Sequence, residues 1–232
     1  MTGTVHTDLP KPRPDVVVRL PGGPPLLVPA IAFAVLTVAA VAVSIHTPTP
    51  TTSAQAVLTY QLDHGTAVRL GGFLQFAAAL PLAIWAATVH GRLRALGVRA
   101  VGTTMALVGG VLASASLALG GLIGWASAET AQLSDPAVAK LLSELGFATG
   151  AVGYVVPFAL MMAGVAVPSL LKRLMPRPLA ITGLVIAAIG MISTATLLTL
   201  VLGPTVPVVR FGGLIWLVAV SVLLARARHP AR

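Results

Sequence analysis

The sequence contains no cysteine, which excludes disulfides, thiolate metal sites and a cysteine nucleophile. Charge is nearly as scarce. Only 9% of the 232 residues are Asp, Glu, Lys or Arg, against about 25% in an ordinary water-soluble domain. A soluble fold of this length could not cover its surface with so few charges. Also missing are an HExxH pair, intramembrane carboxylate pairs and a glycine-rich phosphate loop, so metalloprotease, carboxylate-dyad and nucleotide chemistry have no residues to rest on. What is abundant is apolar, at 56% of the chain, and the solvent that suits such a chain is a bilayer.

A net charge of +9 would suggest nucleic acid if it lay on one polar face. It does not. The basic residues fall in short clusters between apolar runs, a pattern that fits anionic lipid headgroups beside cytoplasmic loops. Membrane lipids are therefore the expected partners, and nucleic acid is not.

A spanning helix needs about 20 apolar residues. Six runs qualify: Leu26–Ile45, Thr66–Val89, Val101–Ala126, Leu145–Leu171, Leu179–Leu202 and Val206–Leu224. They are continuous, whereas a spanning barrel would alternate in ten-residue segments. The expected fold class is therefore all-α, a polytopic transmembrane helical bundle of about six spans over residues 24–225. A proline-rich, charged tail, residues 1–23, is expected to be disordered, and a short basic tail covers 226–232. The run from Leu26 is too long, and too far from the small residues at Ser53–Ala56, for a cleaved secretory signal. A retained first helix is expected.

Orientation follows lysine and arginine. Lys11, Arg13, Arg19, Arg92, Arg94, Arg99, Lys172, Arg173, Arg177, Arg226, Arg228 and Arg232 all fall on one side of a six-span path, 12 of the 15 basic residues. The other side holds Asp63, Glu129, Asp135 and Glu144, four of the six acidic residues. This asymmetry places both termini in the cytoplasm. In the first outer connection, Ala54, Val57, Leu58 and Leu62 recur at helical spacing and predict a short amphipathic helix lying on the outer surface. In the second, Ser134-Asp135-Pro136 predicts a helix start, with Ser134 or Asp135 as cap and Pro136 in the first turn.

Small residues recur four apart, as in Gly110/Ser114, Ser116/Gly120/Gly124 and Gly146/Gly150, and such spacing lets helix backbones approach closely. Pro81 and Pro157 fall inside spans, where each is expected to kink its helix. None of the five histidines lies centrally in a span, which leaves haem without ligands, and no cofactor is expected. The serines Ser114, Ser116 and Ser193 have no buried base beside them and are expected to bond their own helix carbonyls. Trp125 suits an outer aromatic belt, while Trp85 and Trp216 are lipid or core contacts.

The ionisable groups within or bordering the spans are Arg69, Glu144 and Arg210. Intramembrane charge is costly and marks function by default, although an arginine one turn deep can also snorkel to phosphates or pair structurally with Glu144 or Asp63. The expected candidate ligand-binding set is Arg69, Glu144, Arg210, Gln75 and Tyr154, with the three charged residues meeting under the outer surface. No catalytic or metal-binding residue is expected, and the chain is not expected to be an enzyme.

Two stretches resemble each other, Val68-Arg69-Leu70-Gly71-Gly72-Phe73-Leu74 and Val209-Arg210-Phe211-Gly212-Gly213-Leu214-Ile215. Together with Gln75-Phe76 and Pro81-Leu82-Ala83-Ile84, they also resemble a group of uncharacterised six-span integral membrane proteins of high-GC actinobacteria, a domain-of-unknown-function family. The resemblance covers roughly residues 60–225, and the Arg-rich, Lys-poor composition agrees with it. It implies a multi-pass protein of a bacterial plasma membrane and carries no activity. Two functions compete on the residues themselves. One is binding or transport of an anionic or amphiphilic small ligand in an outward-facing cavity. The other is a non-catalytic membrane subunit or scaffold that packs against a partner protein or a second copy through its glycine-lined faces.

The charge asymmetry generates a direct test of sidedness. Cysteines introduced at Thr51 and Ser134 should react with an impermeant thiol reagent in intact cells, while those at Gly97 and Pro230 should not. Reaction at Gly97 alone would overturn the topology.

Overall fold

In hydrocarbon every backbone amide must find its partner within the protein, so a continuous apolar run resolves as a helix. The computed structural model describes residues 25–226. The tail at 1–23 and the end of the tail at 226–232 lie outside the described residues. Among the described residues there are eight α-helices and no strand: α1 (Leu27–Val43), α2 (Ala54–Asp63), α3 (Gly65–Ala95), α4 (Val101–Thr130), α5 (Pro136–Phe147), α6 (Gly153–Leu171), α7 (Arg177–Ile192) and α8 (Thr205–Arg226).

Five helical segments are long and apolar enough to cross a membrane, and α1 is a shorter apolar helix of 17 residues. At ~1.5 Å per residue, α1 is still close to the ~30 Å of a hydrocarbon core. The protein is thus an all-helical, multi-pass membrane bundle of about six spans. Its surface agrees. Val35, Leu80, Val185 and Ile215 are 61%, 60%, 53% and 70% exposed in mid-helix, an arrangement that only lipid tails can cover.

Helix limits differ from the apolar runs because hydropathy marks the oily stretch and not the helix. α3 continues past Val89 to Ala95, and α4 continues past Ala126 to Thr130. α5 begins at Pro136, where Asp135, rather than Ser134, supplies the cap by accepting from the Val138 amide at 2.9 Å. It runs through a π-helical turn, Ala148–Val152, directly into α6. The expected span at 179–202 stops as an α-helix at Ile192 and tightens into 3₁₀ turns at Ser193–Leu197 and Leu200–Leu202. Ser193 holds that corner, with its hydroxyl 2.7 Å from Thr205 Oγ1 at the start of α8. The short α2 forms as expected. It packs against α5, where Gln61 Nε2 donates to the Ala139 carbonyl at 3.4 Å.

α4 is the hub, packed against α3 on one side and α6 on the other. Glycine makes both contacts possible. A Cβ on Gly72 would stand 2.6 Å from the Trp125 amide nitrogen and 2.7 Å from the Gly121 carbonyl oxygen. One on Gly109 would stand 2.5 Å from the Met161 nitrogen and 2.7 Å from the Pro157 oxygen. Lipid supplies no hydrophobic drive to join helices, so this close backbone contact supplies the dispersion that does. Trp85 and Trp216 belong to the core: Trp85 Nε1 donates to Ser221 Oγ at 2.7 Å, and Trp216 Nε1 donates to the Leu179 carbonyl at 2.9 Å. Trp125 is 47% exposed near the end of α4.

The packing separates two kinds of glycine. A Cβ on Gly164 would meet the Ala106 amide and stand 2.7 Å from the Gly102 oxygen, whereas one on Gly91 meets nothing within 4 Å. Gly164→Ala should therefore lower the unfolding temperature by forcing α4 and α6 apart, at about 1–3 kcal/mol. Gly91→Ala should raise it slightly, since alanine is favoured over glycine by ~1 kcal/mol in a helix. Equal effects at the two positions would mean that α4 and α6 do not rely on close contact.

Candidate functional site

The end of the bundle that the charge asymmetry assigns to the outside is where α1, α3 and α4 meet the α5–α6 joint and the start of α8. The joint matters because a π-helical turn widens the helix and frees carbonyls from the regular ladder, a feature common at functional sites. Here the Gly150 carbonyl accepts a hydrogen bond from Arg210 Nη2 at 2.5 Å. Arg210, the sixth residue of α8, points inward. Its guanidinium carbon lies 5.4 Å from the centre of the Tyr154 ring, within cation–π range. Tyr154 is held in turn by Phe33 of α1 and Phe158 of α6, with ring centres 6.5 Å and 5.2 Å away.

This arrangement leaves polar atoms without partners. Arg210 Nε, the Tyr154 hydroxyl and Thr37 Oγ1 are all buried and make no hydrogen bond. All three residues line one small cavity of about 60 Å³, together with Ser44, Gln75 and Leu117. Above it opens a vestibule of about 300 Å³ that shares Ser44, Gln75 and Arg210. Its apolar lining includes Val57 and Tyr60 of α2 and Leu142 and Phe147 of α5, so the two short helices roof it. Lys140 ties the roof to the loop after α1, donating to the carbonyls of Pro50 at 2.6 Å and Thr52 at 3.0 Å. Gln75 enters the site through a notch. Its amide nitrogen stands 2.7 Å from where a Gly120 Cβ would be and would collide with a Cβ on Gly150.

Of the expected residues, Arg210, Gln75 and Tyr154 come together, and Arg69 and Glu144 do not join them. The charged trio expected under the outer surface is not formed. Arg69 projects from α3 to pair with Glu129 of α4, both sides partly exposed, and Glu144 pairs with Lys140 one turn away at 2.8 Å. Both Arg-x-Gly-Gly sequences open helices at the same end, but the packing of α3 on α4 turns Arg69 to the surface, while α8 turns Arg210 into the bundle. Thr37 and Ser44 were not foreseen. Thr37 is the one hydroxyl within α1, and that isolation in an apolar helix is the signal that could have marked it.

Three of the four described carboxylates are committed elsewhere, and the fourth faces outward. Glu129 and Glu144 are ion-paired, Asp135 caps α5, and Asp63 is exposed. Among the described residues, none forms an ion pair with Arg210. A buried guanidinium without a counter-ion, beside an unsatisfied phenol and an unsatisfied threonine, can accept an anion or another strong hydrogen-bond acceptor. Comparison with protein-family models, curated proteins and solved structures returned no match, so the geometry alone carries the functional reading.

The ion pairs as observed dictate how mutations combine. Glu144→Gln and Arg210→Gln share no partner and should be additive within ~0.5 kcal/mol. Arg69→Gln and Glu129→Gln should couple by ~0.2–1 kcal/mol, the range of an exposed pair. Thermal or denaturant unfolding of the two cycles measures both, and strong coupling of Glu144 with Arg210 would contradict the pairing seen here.

Proposed function

We propose that this chain is a membrane-embedded binding protein, in a bacterial plasma membrane, for an anionic or amphiphilic small ligand that enters from the outer side. The observation that carries the reading is Arg210, a part-buried guanidinium with a buried, unpartnered Nε and no carboxylate partner among the described residues, opening onto a cavity that leads to the surface. Isolated charge within a membrane is retained where it pairs, conducts or binds. The vestibule is at the lower end of the usual range for small-molecule sites, roughly 300–1,000 Å³, and its largely apolar wall suits an aliphatic body. A transport role would extend this reading by a second conformation, and a binding role needs only the one described. The glycines that suggested a partner-binding face are spent within the bundle, at the α3–α4 and α4–α6 contacts, which weakens the scaffold alternative.

The test is ligand-dependent unfolding of the purified protein in phosphatidylcholine nanodiscs. Single-chain anions of about ten carbons should raise the unfolding temperature, and decyltrimethylammonium should not. The effect should be lost in Arg210→Gln, which removes the charge but not the cavity. An equal response of wild type and Arg210→Gln would mean that the amphiphile acts through the bilayer and that the reading is wrong.

A further inference from the structure

The two compartments differ in size and chemistry enough to discriminate among anions. The inner one, about 60 Å³, offers the volume of about two water molecules at ~30 Å³ each. Its unpartnered groups are Arg210 Nε, the Tyr154 hydroxyl and Thr37 Oγ1. Arg210 Nε–H and the Tyr154 O–H are donors, and Thr37 can donate as well as accept. Two donors and a hydroxyl are enough in number for the two oxygens of a carboxylate. A phosphate monoester brings three terminal oxygens, a bridging oxygen and a second ionisation. It needs more room, more donors and a further positive charge, and the only cation lining this compartment is Arg210.

The outer compartment sets the rest of the molecule. Its volume, about 300 Å³, corresponds to roughly ten methylenes if each takes about the share of one water. Val41, Val57, Val68, Leu142 and Phe147 line it, and no described lysine, aspartate or glutamate does. A second charged group on the ligand would therefore be left without a counter-charge under the roof.

Building on the function proposed above, we propose that the site selects a monocarboxylate amphiphile. Its carboxylate lies in the inner compartment on Arg210, Tyr154 and Thr37, and an unbranched aliphatic body of about ten carbons lies in the vestibule. The Tyr154 hydroxyl is a specificity determinant. It makes no hydrogen bond within the protein, so its placement costs stability in the empty state and is offset only when an acceptor arrives.

The experiment compares decanoate, decyl phosphate and acetate binding to the full chain in phosphatidylcholine nanodiscs by calorimetric titration, with Tyr154→Phe and Arg210→Gln alongside. Decanoate should bind at least ten-fold more tightly than decyl phosphate, and acetate at least a hundred-fold more weakly than decanoate. Tyr154→Phe keeps the ring that stacks on Arg210, so it should weaken decanoate by about ten-fold and unfold at the same temperature as wild type or higher. That pairing is not what a merely structural tyrosine would give. Because Tyr154→Phe alters no charge and no packing volume, it decides the question even if Arg210→Gln fails to fold. Decyl phosphate binding as tightly as decanoate, with both lost in Arg210→Gln, would overturn the carboxylate assignment and leave the anion-binding reading standing. An unchanged decanoate affinity in Tyr154→Phe would also overturn it. Failure of every anion to bind above the level of Arg210→Gln would remove both.

Discussion

One buried charge organises the outer half of this bundle. Arg210 points inward from the second turn of α8 with no carboxylate to meet it among the described residues, and the protein stabilises it with the Gly150 carbonyl and the face of Tyr154. Neither contact neutralises a guanidinium. A carbonyl dipole and a ring quadrupole lower the cost of burial, but a full counter-charge is what a low-dielectric site rewards most. The unfilled part of that demand appears as an orphan Nε beside an orphan phenol and an orphan threonine hydroxyl. Native proteins leave few such atoms unsatisfied, and three of them meet in this one cavity.

The glycine contacts explain why a cavity can exist there. At the basic end, α4 and α6 touch backbone to backbone through Gly102, Gly109 and Gly164, and α3 meets α4 through Gly72 and Gly121 further out. Beyond those contacts α6 ceases to be a regular helix. The π-helical turn at Ala148–Val152 joins it to α5, which packs against both α4 and α2 and turns Leu142 and Phe147 to the vestibule. The void lies where the regular α4–α6 contact gives way to the π-helical turn. Gly120 and Gly150 line it without filling it, leaving room for the Gln75 side chain.

The fold was largely legible in the sequence, and the site was legible only in part, for one physical reason. Spanning helices are specified residue by residue, since twenty apolar residues in a row have few other solutions in lipid. The six apolar runs, the short α2 and the Asp135-Pro136 start of α5 were all readable on that basis. Which way a helix faces is set by its neighbours. Arg69 and Arg210 sit in near-identical sequences, and nothing in either stretch says that α3 will present its arginine to Glu129 at the surface while α8 turns the other inward. Glu144 had looked like a counter-ion for the arginines because all three belong to outer helix ends. Its true partner, Lys140, is four residues away on its own helix, a local pairing that any helical reading of that loop would have offered. Thr37 was passed over for a different reason: a lone hydroxyl in an apolar helix ordinarily bonds its own carbonyl at i−4, and here it does not.

The roof completes the logic of the site. Charge exposed to water is screened and discriminates poorly among anions, while the same charge under a low-dielectric cover interacts strongly with whatever reaches it. α2 and α5 provide that cover with apolar side chains, Val57 beneath α2 and Leu142 and Phe147 beneath α5. They bring few buried residues of their own, Ala139 in α5 and Val57 and Gln61 in α2. Polar contacts tie them together: Lys140 on two loop carbonyls and the buried bond of Gln61 to the Ala139 carbonyl. Contacts of that kind exchange with water at modest net cost, typically about 1 kcal/mol each. The helices that hold Arg210 in place, by contrast, are fixed by buried aromatic packing and backbone contact. The charge thus rests on aromatic packing and close backbone contact, beneath two helices that bury Val57, Gln61 and Ala139.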